Sequence, residues 1–226
     1  MESLRSYHRL TPDNFSLKAV RGFTLVEMMV VMAIITVITG IMLTNQASFN
    51  KTLILANTAY DIALTLRSAE TYGISSRGVI GIRGVGYGLH FDHSLPGTFT
   101  FFRDSSGSDC HVPPSGDSLA PDAKVGDCVY QPGERITDYN LGNEAIVSDF
   151  CAYTVGSWSC AEANALGSLD IIFIRPDPNP FITVSENGNV IGTKACLTIS
   201  APGATVSHYV SVAASGAIVV STSPCI

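Results

Sequence analysis

Residues 22–43 constrain this 226-residue chain more than any other stretch: Gly22-Phe23-Thr24-Leu25-Val26-Glu27, then an apolar run to Leu43. From Phe23 to Leu43 the only ionisable side chain is Glu27. At about 1.5 Å rise per residue, a helix of this length matches the thickness of a bilayer core. It is expected to span a membrane. A lone carboxylate in hydrocarbon costs a few kcal/mol unless it is paired. The same residues also start a helix well, because Thr24-Leu25-Val26-Glu27 is a capping-box pattern and Phe23 with Met28 has the spacing of a hydrophobic staple. An acid in the first turn is further favoured by the free N–H groups and the dipole. Capping, however, requires neither a glycine at the junction nor a basic leader before it.

The whole string, with Arg21 before Gly22 and Glu27 fifth from Phe23, closely resembles the N-terminal signature of type IV pilins and pseudopilins. That resemblance implies cleavage after Gly22 by a prepilin peptidase on the cytoplasmic side, N-methylation of Phe23, and a role for Glu27 in docking the subunit into a filament. It implies as partners other pilin or pseudopilin subunits and an inner-membrane assembly platform.

Residues 1–22 form the expected cytoplasmic leader, with four basic and two acidic residues and a net charge of +2. By the positive-inside tendency the leader stays in the cytoplasm and the rest is exported. A secretory signal peptide would have a shorter apolar core, with its cleavage site after that core. Orientation thus gives a single pass with the domain exported, and the resemblance implies a bacterial inner membrane, with the domain in the periplasm or outside the cell and in a pilus or pseudopilus after assembly. The remaining chain has nine basic and seventeen acidic residues, net −8 with neutral histidines. Such a charge disfavours broad attraction to nucleic acid.

Residues 23–43 are read as the membrane or filament-core half of a long helix and 44–73 as its amphipathic half. In the latter, Leu55, Ala59, Ile62, Leu66 and Ala69 recur at steps of four and three. The helix is expected over roughly Thr24 to Tyr72. Residues 74–226 read as an exported β domain. Strands are expected at Val79–Arg83, Tyr87–Phe91 and Thr98–Phe102, with Gly84-Val85-Gly86 as a turn; this glycine run lacks a Gly-Lys-Ser/Thr ending and is no phosphate loop. Asp104 to about Asn143 reads as a surface excursion rich in Ser, Gly, Asp and Pro, its acids Asp104, Asp109, Asp117, Asp122 and Asp127 as solvated charge rather than a calcium loop.

Further strands are expected at Ala145–Val147, Tyr153–Val155 and Leu169–Ile174, the last stopped by the prolines of Arg175–Pro180. Phe181–Val184 and Val190–Ile191 flank an Asn-Gly hairpin signal, and Ala195–Ser200 and Val206–Ala213 flank Pro202-Gly203, which suits a type II turn. Ala217–Ser221 closes the domain. The fold class is α+β: a long N-terminal helix packed on an antiparallel β-sheet or sandwich domain, the lollipop arrangement of pilin-like proteins. The Arg-Pro-Asp-Pro step, the Cys-Leu-Thr-Ile-Ser strand and the closing Ser-Gly-Ala-Ile-Val-Val strand resemble the GspH/FimT branch of that family.

Six cysteines, Cys110, Cys128, Cys151, Cys160, Cys196 and Cys225, all follow the span. An even number in an exported segment reads as disulfides. Fifteen pairings are possible; order and strand layout favour Cys110 with Cys128, Cys151 with Cys160, and Cys196 with Cys225. No Cys-x-x-Cys spacing supports zinc. His90, His93, His111 and His208 form no catalytic pattern, and no nucleophile elbow occurs. Neither an enzyme nor a cofactor is expected. The expected function is a minor pilin or pseudopilin in a type IV pilus or type II secretion pseudopilus. The alternative is a filament-borne binding module for DNA or a secreted substrate, with Arg67, Arg77, Arg83, Arg103 and Lys194 as its scattered basic candidates.

Overall fold

The computed structural model describes residues 22–75, 85–106, 126–175, 177–185, 189–204 and 206–225. The leader before Gly22, the Val79–Arg83 strand, the Asn187-Gly188 turn, and Asp109, Cys110, His111, Asp117 and Asp122 lie outside the described residues. The chain divides into two compact units, Met1–Thr44 and Asn45–Ile226. Each is described by itself.

Helix α1 covers Leu25–Ile74. In the first unit its start is capped by Thr24, whose Oγ1 accepts the amide of Glu27 at 3.2 Å and whose carbonyl accepts the amide of Met28. Such a cap satisfies donors that a helix start otherwise leaves free. From Leu25 to Leu43 the helix is long and apolar enough to cross a membrane, and none of that stretch is buried. Hydrophobic side chains exposed on every side of a helix call for lipid or for other helices.

In the second unit, the stripe Leu55, Ala59, Ile62, Leu66 and Ala69 is fully buried. At about 1.5–3 kcal/mol for each large side chain, this burial fixes the face that α1 turns to the domain. Two antiparallel sheets receive it. One has the order β3-β2-β1-β6-β7-β8, formed by β1 (Gly86–Asp92), β2 (Thr98–Asp104), β3 (Arg135–Asn140), β6 (Ser168–Ile174), β7 (Asp177–Ser185) and β8 (Asn189–Gly192). The other has the order β11-β10-β9-β4-β5, formed by β4 (Ile146–Thr154), β5 (Ser157–Cys160), β9 (Ala195–Ser200), β10 (His208–Val212) and β11 (Ile218–Ser221). A single turn of helix, α2 (Ala161–Asn164), follows β5. The architecture is α+β.

One core joins the helix stripe to both sheets, with Leu89, Phe91, Phe99, Phe101, Leu169 and Ile171 from the first and Phe150, Leu197, Ile199 and Val210 from the second. Tyr72 packs on Tyr87 and Phe101 with ring centroids 5.7 and 5.9 Å apart. Arg67 donates to the carbonyl of Ile218, and Lys51 Nζ donates to the carbonyl of Pro202 at 2.6 Å. The helix continues past Tyr72 because Gly73 permits close approach: a Cβ there would sit 2.7 Å from the Phe173 carbonyl carbon.

Several strands depart from the sequence expectation. The excursion Asp104–Asn143 contains β3, an edge strand whose six residues are all exposed, preceded by a 3-10 turn at Pro132–Glu134. A strand with neither face buried has no apolar alternation to betray it. Val155 belongs to a turn with Gly156, both at positive φ, and this turn joins β4 to β5, a strand the sequence reading lacks. The strand β6 ends at Ile174 as expected, but the following strand starts within the proline run: β7 begins at Asp177, four residues before Phe181. Pro178 and Pro180 fall in the irregular stretch between the pairs Ile174–Asp177 and Ile172–Phe181, where no regular ladder donor is demanded.

Between β9 and β10 the amide of Ala204 donates to the carbonyl of Ala201, and Gly203 has φ +71°, a type II turn led by Pro202. Replacing Gly203 with Ala places a Cβ in left-handed backbone. We expect about 1 kcal/mol lower stability in urea unfolding, with no change in fold.

Candidate functional site

The first candidate is the start of α1. Gly22 is exposed with open space around its Cα, and Phe23 is 78% exposed. The cap engages the amide of Glu27, not its carboxylate, so the acid remains on the outside of the first turn. Gly22, Phe23 and Glu27 thus lie together at one accessible helix end, where the apolar-rich stretch Leu25–Leu43 begins.

Three cysteines, Cys151, Cys160 and Cys196, lie on adjacent strands of the second sheet. Cys151 is bonded to Cys160 and Cys196 to Cys225. Cys128 is also disulfide-bonded, and the partner suggested for it, Cys110, lies outside the described residues. Asp149 lies near Cys151 and Cys160, with the ligand atoms of the three within 4.8 Å of one another. Because the two sulfurs are bonded to each other, no thiolate is available there for a metal.

The outer face of the first sheet carries a polar arrangement that the sequence reading missed. Asp104, expected as solvated loop charge, is fully buried at the end of β2. Its Oδ1 accepts the amide of Asp127 at 3.1 Å and its Oδ2 that of Cys128 at 2.9 Å. Glu134, also buried, accepts the amides of Ser105 and Ser106 through Oε1 and that of Gln131 through Oε2. Asp170 on β6 meets His90 Nδ1 at 2.6 Å and accepts the amide of Tyr130. The Tyr130 ring lies 4.3 Å from that of His90 and 5.2 Å from that of Phe102. Two sheet carboxylates, Asp104 and Asp170, therefore bind the returning segment 126–134 through its own backbone amides, and Glu134 within that segment reaches back to the amides of Ser105 and Ser106 beyond β2.

Burial pushes the Asp104 carboxyl up to about 7; the Cys128 amide opposes this and neighbouring Glu134 adds to it. Burial likewise raises Asp170, against the hydrogen bond and charge of His90 and the amide of Tyr130. With the acceptors occupied by amides, the cluster is built to hold backbone. Only the separation in sequence, 23 to 40 residues between acid and amide, hid it.

Of the remaining candidates, His208 is buried on β10, and its Nε2 has no hydrogen-bond partner among the described residues. Arg67 lies on α1, Arg103 on β2 and Lys194 between β8 and β9, where its Nζ sits 5.5 Å from the Tyr153 ring centroid. Arg77 and Arg83 lie outside the described residues.

A capped helix long and apolar enough to cross a membrane, joined in sequence to a disulfide-bonded α+β domain, is consistent with a membrane-anchored protein. Residues 17–43 match the family model described as the prokaryotic N-terminal methylation motif, which supports a type IV pilin- or pseudopilin-like substrate of prepilin peptidase. No curated protein and no solved structure matches the chain.

Proposed function

We propose that this chain is a minor pilin or pseudopilin of the GspH/FimT type, a non-catalytic structural subunit of a type IV pilus or a type II secretion pseudopilus. The observation that carries the proposal is the helix start: Phe23 and Glu27 are both exposed at the start of the unburied, apolar-rich stretch Leu25–Leu43. Such a helix has two good environments, lipid and a bundle of like helices, and passing from one to the other preserves its burial. Glu27 makes the difference between them. Its carboxylate is better satisfied beside the free amino group of a neighbouring subunit's Phe23 than in hydrocarbon.

Two further features support this reading. On the side of α1 opposite the core stripe, Leu53, Tyr60 and Leu64 are exposed at helical spacing, which offers neighbouring subunits an apolar contact line beyond the membrane half. Disulfides suit a domain on the exported side of the inner membrane, in the periplasm or outside the cell.

The test is the intact mass of the protein in filaments sheared from the cell surface, compared with the membrane fraction. A mass beginning at methylated Phe23 in the sheared material is the result expected for a surface pilus. A processed form confined to the envelope assigns it to a secretion pseudopilus. An unprocessed mass in both fractions overturns the proposal.

A further inference from the structure

The two described disulfides of the second sheet are neighbours. Register pairs Cys160 of β5 with Cys151 of β4, and Cys151 in turn with Cys196 of β9, so three cysteines stand in one row across adjacent strands. They share the outer face: Ala152, Leu197 and Ile199, on the alternate positions, enter the core. Two residues along β4, Tyr153 exchanges hydrogen bonds with the segment before β9, its amide donating to the Lys194 carbonyl and its carbonyl accepting from Thr193. Cys151 and Tyr153 direct their backbone groups to the same side, so Cys151 and Cys196 form a hydrogen-bonded pair. Its Cα separation of about 5.5 Å lies within the range of roughly 4.4–6.8 Å that a disulfide spans. Cys151 and Cys196 are both 1% exposed, whereas their partners Cys160 and Cys225 are partly accessible.

We propose that Cys160, Cys151, Cys196 and Cys225 act as one disulfide-exchange relay rather than as two independent bridges. An external dithiol reductant attacks the accessible Cys225 sulfur, Cys196 leaves as a thiolate, and the reductant's second thiol resolves the mixed disulfide, leaving Cys225 as a thiol and the reductant as its own disulfide. The Cys196 thiolate then attacks Cys151 Sγ. A Cys196–Cys151 bond forms, the Cys151–Cys160 bond breaks, and its electron pair leaves on Cys160. This second step consumes no oxidant or reductant. Its outcome is an inner bridge tying β4 to β9, with both the C-terminal segment and the short edge strand β5 released from their staples. Reduction at one end of the row is thereby felt at the other.

The relay is tested in the full chain in detergent with two single variants, Cys225→Ser and Cys160→Ser. Each is acid-quenched, alkylated and mapped without reduction. In Cys225→Ser the free thiol is expected to shift from Cys196 to Cys160, with a Cys151–Cys196 linked peptide. In Cys160→Ser it is expected to shift from Cys151 to Cys225, with that same linked peptide. Label confined to Cys196 in the first and to Cys151 in the second overturns the relay. Label spreading to Cys128 as well overturns it too, because that outcome reports general scrambling of an unfolded chain. The parent protein under graded dithiothreitol supplies a measurement free of substitutions: its partly reduced species should contain the Cys151–Cys196 bridge, and their lacking it has the same adverse meaning.

Discussion

A Glu27→Ala protein is expected to lose its leader as the parent does and yet to be depleted about tenfold or more from assembled filaments, the equivalent of some 1.4 kcal/mol in partition. On the proposed reading, processing takes place between Gly22 and Phe23, five and four residues before the acid, and neither those residues nor the Thr24 cap depends on the carboxylate: the cap binds the Glu27 amide. Assembly is different. In lipid an unpaired acid in the first turn costs a few kcal/mol, partly offset by the free N–H groups of the helix start. Beside a neighbouring Phe23 amino group that cost becomes a gain. Alanine removes both terms, so the helix rests in the membrane without penalty and gains nothing specific on leaving it. Glu27→Asp, which keeps the charge on a shorter stem, should fall between the two. The quantity to measure is the ratio of processed protein in the assembled fraction to that in the membrane fraction, by quantitative mass spectrometry. An unchanged ratio for Glu27→Ala removes the pairing role and leaves Glu27 with no more than a place in the first turn.

What could be read from the sequence follows the physics of each residue. The stripe from Leu55 to Ala69 announces a core-facing helix because burial on one side of a helix demands that period, and those side chains are the ones buried. The strands around Leu89, Ile171 and Leu197 are likewise legible as buried β-rich runs. By contrast, β3 is exposed on both faces, β5 follows a Val-Gly turn without the usual Asn-Gly signal, and β7 hides its prolines in a register shift. At the helix start, local sequence suffices, since Gly22, Phe23, Thr24 and Glu27 act within one turn. The outer-face cluster was illegible for the opposite reason. An aspartate in a Ser- and Gly-rich stretch looks the same whether water or a distant backbone amide solvates it, and His90 meets Asp170 across 80 residues.

Asp104 is where that difference has the largest consequence for stability. The segment it holds bends sharply, with Gly126 at φ +129° and Cys128 at φ +61°, so that the amides of Asp127 and Cys128 both converge on the buried carboxylate. Asp104→Ala leaves those two donors without an acceptor, and we expect a loss of about 2–4 kcal/mol. Asp104→Asn retains one acceptor oxygen and should lose less.

The pH dependence has a definite sign. Asp104 in the folded chain titrates at about 7 against an ordinary value of 3.8, because burial penalises its charge more than the Cys128 amide favours it. The folded state therefore holds the proton more tightly than the unfolded one between these values. The contribution is fully present below about pH 4 and is lost as pH rises to about 7. The negative charges of Glu134 and Asp127 near the same carboxyl act in the same direction as burial. Urea unfolding followed by the single tryptophan, Trp158 on β5, should show the parent's stability relative to Asp104→Asn falling between pH 4 and pH 7 and level above. A difference that grows as pH rises means that the two amides outweigh burial and hold the acid ionised in the folded domain, and one that stays constant means that folding leaves its titration unshifted; either overturns the expectation.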